Sequence, residues 1–407
     1  MSQTEAATAN GTKTLPDGWR WVRLGEVIAE AQPGFACGER DPNGVIQLRM
    51  NNVDTRGTVV WDEFIRVPAD DNLVERFRLV EGDVVFNNTN STELVGKTAL
   101  FTGYREPVVY SNHFTRLRVE RNQADTRYVA AWILLQWQSR VFENICNRWI
   151  GQSAVKNDKL LAMEIPLPPL EEQQRIATTL EEQLASVERA RVATEAQLEA
   201  AKALPSAYLR RVFDSPAAKR WPRKKLADVC DIVMGQSPDG TSYNEEGRGD
   251  PLLNGPTEFG VRHPTTVQWT TSPTRYAETG DILLCVRGAT TGCKNIADKR
   301  YCIGRGLAAM RGKGSTAITD FLWFSLDVVT TKILSESSGS TFPNIPGEKL
   351  ERIEISLPSH NDQQRIAAQL SAQMASVEQL RQGLTEQLDA ISHLPSCILR
   401  RAFAGQL

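Results

Sequence analysis

Two long stretches of this chain carry apolar residues at the spacing of one helix face. In the later stretch, Ile366, Leu370, Met374, Val377, Leu380, Leu384, Leu388, Ile391, Leu394 and Ile398 follow one another at intervals of four or three, a mean close to the 3.6 of an α-helix. Ile176, Leu180, Leu184, Val187, Ala190, Thr194, Leu198, Ala201, Leu204 and Tyr208 hold the same register earlier on. The two stretches are copies. Ile165–Phe213 returns without a gap as Ile355–Phe403, with roughly half of the positions identical, a long internal repeat that governs every local reading. Pro168, Pro169, Glu171 and Glu172 mark one helix start, and Ser359 with Asp362 three residues on marks the other. Pro205 and Pro395 lack an N–H and clash with the preceding turn, which predicts a kink or break and then a short terminal helix carrying Arg210-Arg211 or Arg400-Arg401.

Outside the helices the pattern changes to short β-type runs: Val45–Leu48, Thr58–Trp61, Val108–Tyr110 and Thr115–Val119. Tyr128–Ile145 and Thr319–Leu334 are later helical segments. Here too the chain matches itself, more weakly. Leu15–Ile28 corresponds to Arg220–Val233, and Glu81-Gly82-Asp83-Val84-Val85-Phe86 to Thr279-Gly280-Asp281-Ile282-Leu283-Leu284. A Gly-Asp turn before a β-branched run signals a buried strand. Strands followed by a helix predict an α+β class. The expected organisation is a disordered leader at 1–14, a globular unit at 15–164, a repeated helix at 165–214, a second unit at 215–354 and a second helix at 355–407.

Each stripe is too long for a helix to bury alone. The first carries the small Ala190, Thr194 and Ala201 where the second carries Leu380, Leu384 and Ile391, and large against small lets two helices interlock. We expect an antiparallel intramolecular coiled coil built on Ile176, Leu180, Leu184, Val187, Leu198, Ile366, Leu370, Met374, Val377, Leu380, Leu384, Leu388 and Ile391. About 35 residues at 1.5 Å each give a spacer near 50 Å, holding two similar units apart about a pseudo-two-fold axis. A duplex is itself pseudo-two-fold, and such a spacer corresponds to roughly one and a half turns of DNA.

Composition narrows the class. With 407 residues the prior is two to three domains. A net charge of −2 neither demands nor excludes a polyanion partner, so any such site must come from local clustering. No apolar run approaches the roughly 20 residues that span a bilayer. The seven cysteines form no C-x-x-C and the four histidines have no ligand spacing, which argues for reduced thiols in the cytoplasm and against a metal site. Cys285, Cys293 and Cys302 read as buried small hydrophobes.

The layout of variable unit, repeated helix, variable unit, repeated helix resembles the specificity subunit of type I restriction-modification enzymes. The resemblance rests on the two L-P-x-x-x-x-Q-Q-R-I-A segments, Leu167–Ala177 and Leu357–Ala367. Gly235-Gln236-Ser237-Pro238, Gly280–Leu283 and Arg401–Gly405 add to it. The first unit departs from it, with Ala31-Gln32-Pro33-Gly34 at the corresponding start. The resemblance implies target recognition domains that each read one half of a gapped double-stranded DNA sequence. It implies helices that dock two methyltransferase subunits, and translocase–nuclease subunits joining through that methylase. S-adenosylmethionine, ATP and Mg2+ then belong to partner subunits, adenine is the base methylated, and the host is bacterial or archaeal. The residues agree that this chain carries no chemistry. The family's adenine-methylating tetrad, Asn/Asp-Pro-Pro-Tyr/Phe, is absent, and Gly288–Asn295 departs from a phosphate loop in length and in having Asn where Ser or Thr would bind magnesium.

Loops after the Gly-Asp strands are the expected DNA-reading elements, since loops on a scaffold carry recognition. The candidates are Asn87, Asn88, Asn90, Ser91 and Lys97 in the first unit, and Arg287, Thr290, Thr291, Lys294 and Arg305 in the second. Amides suit adenine, arginine suits guanine, and ammonium groups suit phosphates. Two readings stay open elsewhere. The Lys219–Lys225 cluster either meets phosphates or solubilises a linker. Gln173, Gln174 and Arg175, with Gln363, Gln364 and Arg365, either fasten the helix starts or dock a subunit.

Overall fold

The computed structural model describes residues 15–314, 316–336 and 344–407. The expected disordered leader at 1–14 lies outside the described residues. Two compact units emerge, one comprising the residues up to Glu195 with Glu386–Leu407, the other Ala196–Thr385.

In the first unit an antiparallel sheet has the order Ile28–Pro33, Phe114–Val119, Val84–Asn87, Thr98–Leu100. Strand Val84–Asn87 is apolar on both faces because it is covered on both. Val84 and Phe86 join a core with helix Thr126–Gln138, while Val85 joins a second core with Ile46, Val108 and Tyr110. The latter belong to a smaller sheet, Ile65–Val67, Val45–Leu48, Val108–Tyr110, in which the last pair is parallel.

The second unit repeats this plan. Its sheet has the order Cys230–Met234, Leu307–Gly312, Ile282–Cys285, Lys294–Ile296, again antiparallel. Ile282 and Leu284 face the core of helix Thr319–Glu336, and Leu283 and Cys285 the opposite core. Its smaller sheet has five strands, with Asp250–Leu253 parallel to Tyr301–Ile303. The α+β expectation holds for both units.

Three devices recur in both. Gly82 and Gly280 turn the chain at φ of +92° and +88°. The following Asp83 and Asp281 each accept a backbone N–H three residues back and a guanidinium, Arg118 at 2.9 Å and Arg311 at 2.6 Å. Gly34 and Gly235 follow corresponding strands, and a Cβ there would lie 2.3 Å and 2.2 Å from a backbone carbonyl oxygen. Gly34 of the departing Ala31–Gly34 start is thus the counterpart of Gly235, which settles the alignment of the two units. Lastly, Gln173 and Gln363 are buried at the two helix starts and bonded alike, as described below.

The long helices run from Leu170 to Phe213 and from His360 to Ala402. In the first unit Ile176, Ala177 and Leu180 share a core with Leu399 and Ala402. In the second, Ile366, Ala367 and Leu370 share one with Tyr208, Leu209 and Val212. The start of each helix therefore packs with the end of the other, the antiparallel coiled coil expected. Two expectations are corrected. The helices continue through Pro205 and Pro395, because packed turns on both sides, such as Ile391 and Leu399, outweigh the one lost N–H bond. Leu380 is 46% exposed and Leu394 lies outside with it, whereas Leu370, Val377, Leu384 and Ile391 are buried seven apart. That is the 3.5-residue period of a coiled coil, and over several turns it leaves a 3.6-residue stripe behind. The inward neighbour of Val377 is Arg381, its stem partly covered, rather than Leu380. Ile176, Leu180 and Ile366 are buried, and Leu184, Val187, Leu198, Met374 and Leu388 are half-buried.

Smaller differences have local causes. Thr58–Trp61 forms one bridge, Val53 to Val59, and no strand. Tyr128–Ile145 divides into helices Thr126–Gln138 and Val141–Ile145, since Arg140 adopts φ of +58°. Cys285 and Cys302 are buried as expected, but Cys293 is exposed.

Candidate nucleic-acid interface

Strand Val84–Asn87 leads into the loop where the first set of candidates lies. Asn87 is buried, and its amide nitrogen donates to the carbonyls of Thr89 (3.1 Å) and His113 (2.9 Å) while its oxygen accepts from the Asn90 amide at 2.5 Å. Asn88 donates to Thr115 Oγ1 at 3.1 Å and accepts from Thr89 Oγ1 at 2.7 Å. Asn90 accepts from the Ser91 N–H at 2.8 Å, and the Ser91 carbonyl accepts from Leu94 and Val95. These amides shape the loop. Asn88, Asn90 and Ser91 remain half-exposed, so part of each still faces water.

Both lysine candidates are corrected by their surroundings. Lys97 is buried and donates to the carbonyls of Met50 (3.2 Å) and Val53 (2.5 Å). Burial holds its pKa below the usual lysine value, against the opposing pull of Asp54. Lys294 lies 4.0 Å from the Trp323 ring centroid, 2.7 Å from the Asp327 carboxylate, and donates to the Trp323 carbonyl. Burial pushes its pKa down to about 8, with Asp327 pulling upward. An ammonium held this way cannot reach a phosphate without breaking its bonds, and a lysine turned inward cannot serve a phosphate loop. Asn87 and Thr291 are likewise corrected by burial, Thr291 donating to the Gly288 carbonyl at 2.7 Å.

The remaining candidates of the second unit converge. Arg287 and Thr290 are exposed on the hairpin after strand Ile282–Cys285, and Arg305 is exposed on a neighbouring turn. The Val286 N–H bonds the Gly306 carbonyl at 2.9 Å, bringing the two arginine-bearing segments side by side. The Arg305 N–H is seated on Ser237 Oγ at 3.2 Å. Two exposed arginines on adjoining segments can each meet a phosphate or a guanine edge.

Gln173 and Gln363 serve the fold. Gln173 donates to the carbonyls of Pro168 (2.8 Å) and Gln123 (3.4 Å) and accepts the Asp125 N–H (2.9 Å). Gln363 donates to Pro358 and Thr316 (both 3.0 Å) and accepts the Ile318 N–H (3.1 Å). Each glutamine ties a long helix to the segment that starts the neighbouring helix, Thr126–Gln138 or Thr319–Glu336. Gln174, Arg175, Gln364 and Arg365 stay exposed, Arg175 paired with Glu172 and Arg365 with Asp362.

Sequence reasoning missed two features. One is an open groove lined by Arg49, Asn51, Asn52, Asp62, Glu63 and Phe64; its two carboxylates make it a poor place for a phosphate. The other is a hairpin, Asn147–Trp149 with Gln152–Ala154, that pairs with Thr89–Asn90 beside the first candidate loop. Its signal was there to find: an Arg-Trp-Ile-Gly run between polar residues. Among the described residues no group of three or more His, Cys, Asp or Glu is placed to hold a metal, and no helix is long and apolar enough to cross a membrane.

Comparison with known proteins agrees with the duplicated plan. The type I restriction modification DNA specificity domain matches residues 16–200 and again 218–390. The MjaX type I restriction enzyme specificity subunit of Methanocaldococcus jannaschii is 29% identical over 372 residues, covering 88% of this chain and 87% of that one. The HsdS subunit of Thermoanaerobacter tengcongensis superposes with a TM-score of 0.70 at 31% identity, covering 98% and 99% of the two chains. A chain from a study of assembly and conformational transition in the type I R-M system gives 0.76, also at 31%, covering 97% and 99%. With two matches that together take in most of its length, the chain belongs to the type I restriction-modification DNA specificity family.

Proposed function

We propose that this chain is the DNA-reading specificity subunit of a type I restriction-modification complex and performs no chemistry itself. Each α+β unit reads one half of a gapped duplex sequence. The paired long helices set the interval between the halves and dock two methyltransferase subunits, through which translocase–nuclease subunits join. S-adenosylmethionine serves the methyltransferase and ATP with Mg2+ the translocase, adenine is the base modified, and the complex works in the cytoplasm of a bacterium or archaeon. The observation that carries this reading is the duplication itself. One sheet order, one Gly-Asp-Arg device and one glutamine latch occur twice, each copy joined to a long helix, which is what reading two half-sites requires.

The test is retention of duplex DNA by the full chain. Specific binding is expected to weaken steeply with salt as phosphate counterions are released. Changing Arg287 and Arg305 together to Ala is expected to weaken specific binding and to relax specificity in the half-site read by the second unit. Binding that ignores sequence, or methyl transfer by this chain without added subunits, would overturn the reading.

A further inference from the structure

Between Cys146 and Val155 the first unit projects a hairpin whose apex carries two large apolar side chains into water. Asn147–Trp149 pairs with Gln152–Ala154, and Ile150-Gly151 turns the corner. Gly151 has φ of +77° while Ile150 stays on the negative side, the combination of a type II turn. Trp149 is 60% exposed and Ile150 106%. Single apolar residues on a surface are ordinary, but adjacent Trp and Ile at the tip of a hydrogen-bonded stalk form a patch set away from any core.

The stalk is fastened to the candidate DNA loop. Ser153 pairs with Asn90 and Ala154 with Thr89, Thr92 Oγ1 lies 2.8 Å from Ser153 Oγ, and the Val155 N–H bonds the Asn88 carbonyl at 2.9 Å. The apex therefore stands beside half-exposed amides. The hairpin itself, residues 147–154, carries Arg148 and no carboxylate, with Lys156 exposed just beyond it; Glu93, Glu143 and Asp158 lie on the flanking segments.

An apolar tip rimmed by cations and amides fits duplex DNA. Phosphates attract the rim, and a large apolar side chain can enter between stacked base pairs, where a hydrogen-bonding group gains nothing. We propose that Trp149 and Ile150 wedge into a base-pair step of the half-site read by the first unit, partly unstacking it. This inference rests on the DNA-reading function proposed above. Specificity would then include the ease of unstacking that step, in addition to contacts with base edges.

The experiment uses the full chain with its methyltransferase subunits and duplexes built on the methylated host sequence, carrying 2-aminopurine at successive positions of each half-site. With the native chain, fluorescence rises at the methylated adenines, which the methyltransferases flip out of the stack, and at one further step that lies in a single half-site. Trp149→Ala with Ile150→Ala abolishes that further rise and weakens binding about ten- to hundredfold, the usual effect of removing a stacking side chain; Trp149→Phe keeps most of both. Because both side chains face water, the melting temperature stays unchanged. Equal binding by native and double-variant chains, or silence at every position other than the methylated adenines, would overturn the wedge alone. Unchanged DNA affinity with lost methyltransferase assembly would also overturn it, making the tip a protein contact. A native chain that retains no duplex would overturn the DNA-reading function, and the wedge with it.

Discussion

Replacing Gln363 by Leu separates a structural role for the repeated glutamines from a docking role. Its side chain is 1% exposed and makes three bonds, to the Pro358 and Thr316 carbonyls and from the Ile318 N–H. Leucine fills the volume and leaves those three backbone groups unpaired in a dry place. At about 1 kcal/mol net for each bond, the loss is about 3 kcal/mol. Gln173→Leu strands the corresponding groups of the first unit and is expected to lose somewhat less, because its bond to Gln123 is longer at 3.4 Å. Urea unfolding followed by tryptophan fluorescence reports the size of the loss. Hydrogen exchange reports its place, since only strands of the unit carrying the substitution should exchange faster. If both variants unfold within about 0.5 kcal/mol of the native chain while methyltransferase assembly fails, the glutamines are docking residues and the latch is wrong.

Three further outcomes are expected. Leu384→Asp with Leu388→Asp should abolish methyltransferase assembly while the units stay folded, whereas Leu380→Asp, at an exposed position, should assemble normally; gel filtration with the partner subunit separates them. Gly34→Ala and Gly235→Ala each place a Cβ within 2.3 Å of a carbonyl oxygen, and the backbone shift required should lower unfolding free energy by about 1–3 kcal/mol, read from denaturant midpoints. Lys294 has a pKa of about 8 in the folded chain against an ordinary 10.5, so between those values the unfolded state binds more protons. Its penalty is therefore full below pH 8 and relieved as pH rises toward 10.5, by about 3 kcal/mol in all; in Lys294→Met the pH dependence of unfolding should lack this rise.

The fold was legible where a pattern repeats over many residues. Two copies of one helix declared the duplication, and stripes too long to be buried alone declared that each helix needs a partner; the small-against-large match was a poorer guide, since Ala190 and Leu380 are both exposed. Leu380 misled because periods of 3.5 and 3.6 diverge only after several turns. The site was legible only in outline. The candidate residues could be placed near the Gly-Asp strands, but Lys97 and Lys294 turn inward toward Met50 and Val53, and toward Trp323 and Asp327, partners no local window contains. A lysine is exposed by default, and only the tertiary fold reveals the exception. Arg287 and Arg305 were each visible alone; the Val286–Gly306 bond that unites them was not.

The most direct test of a twice-built DNA reader is to map the methylated bases in a host genome carrying this chain with its methyltransferase. Expected is one sequence in two short parts separated by a gap of fixed length, with Arg287→Ala and Arg305→Ala altering the part read by the second unit and leaving the other part unchanged. A single uninterrupted motif, or a change in both parts at once, would contradict the assignment of one half-site to each unit.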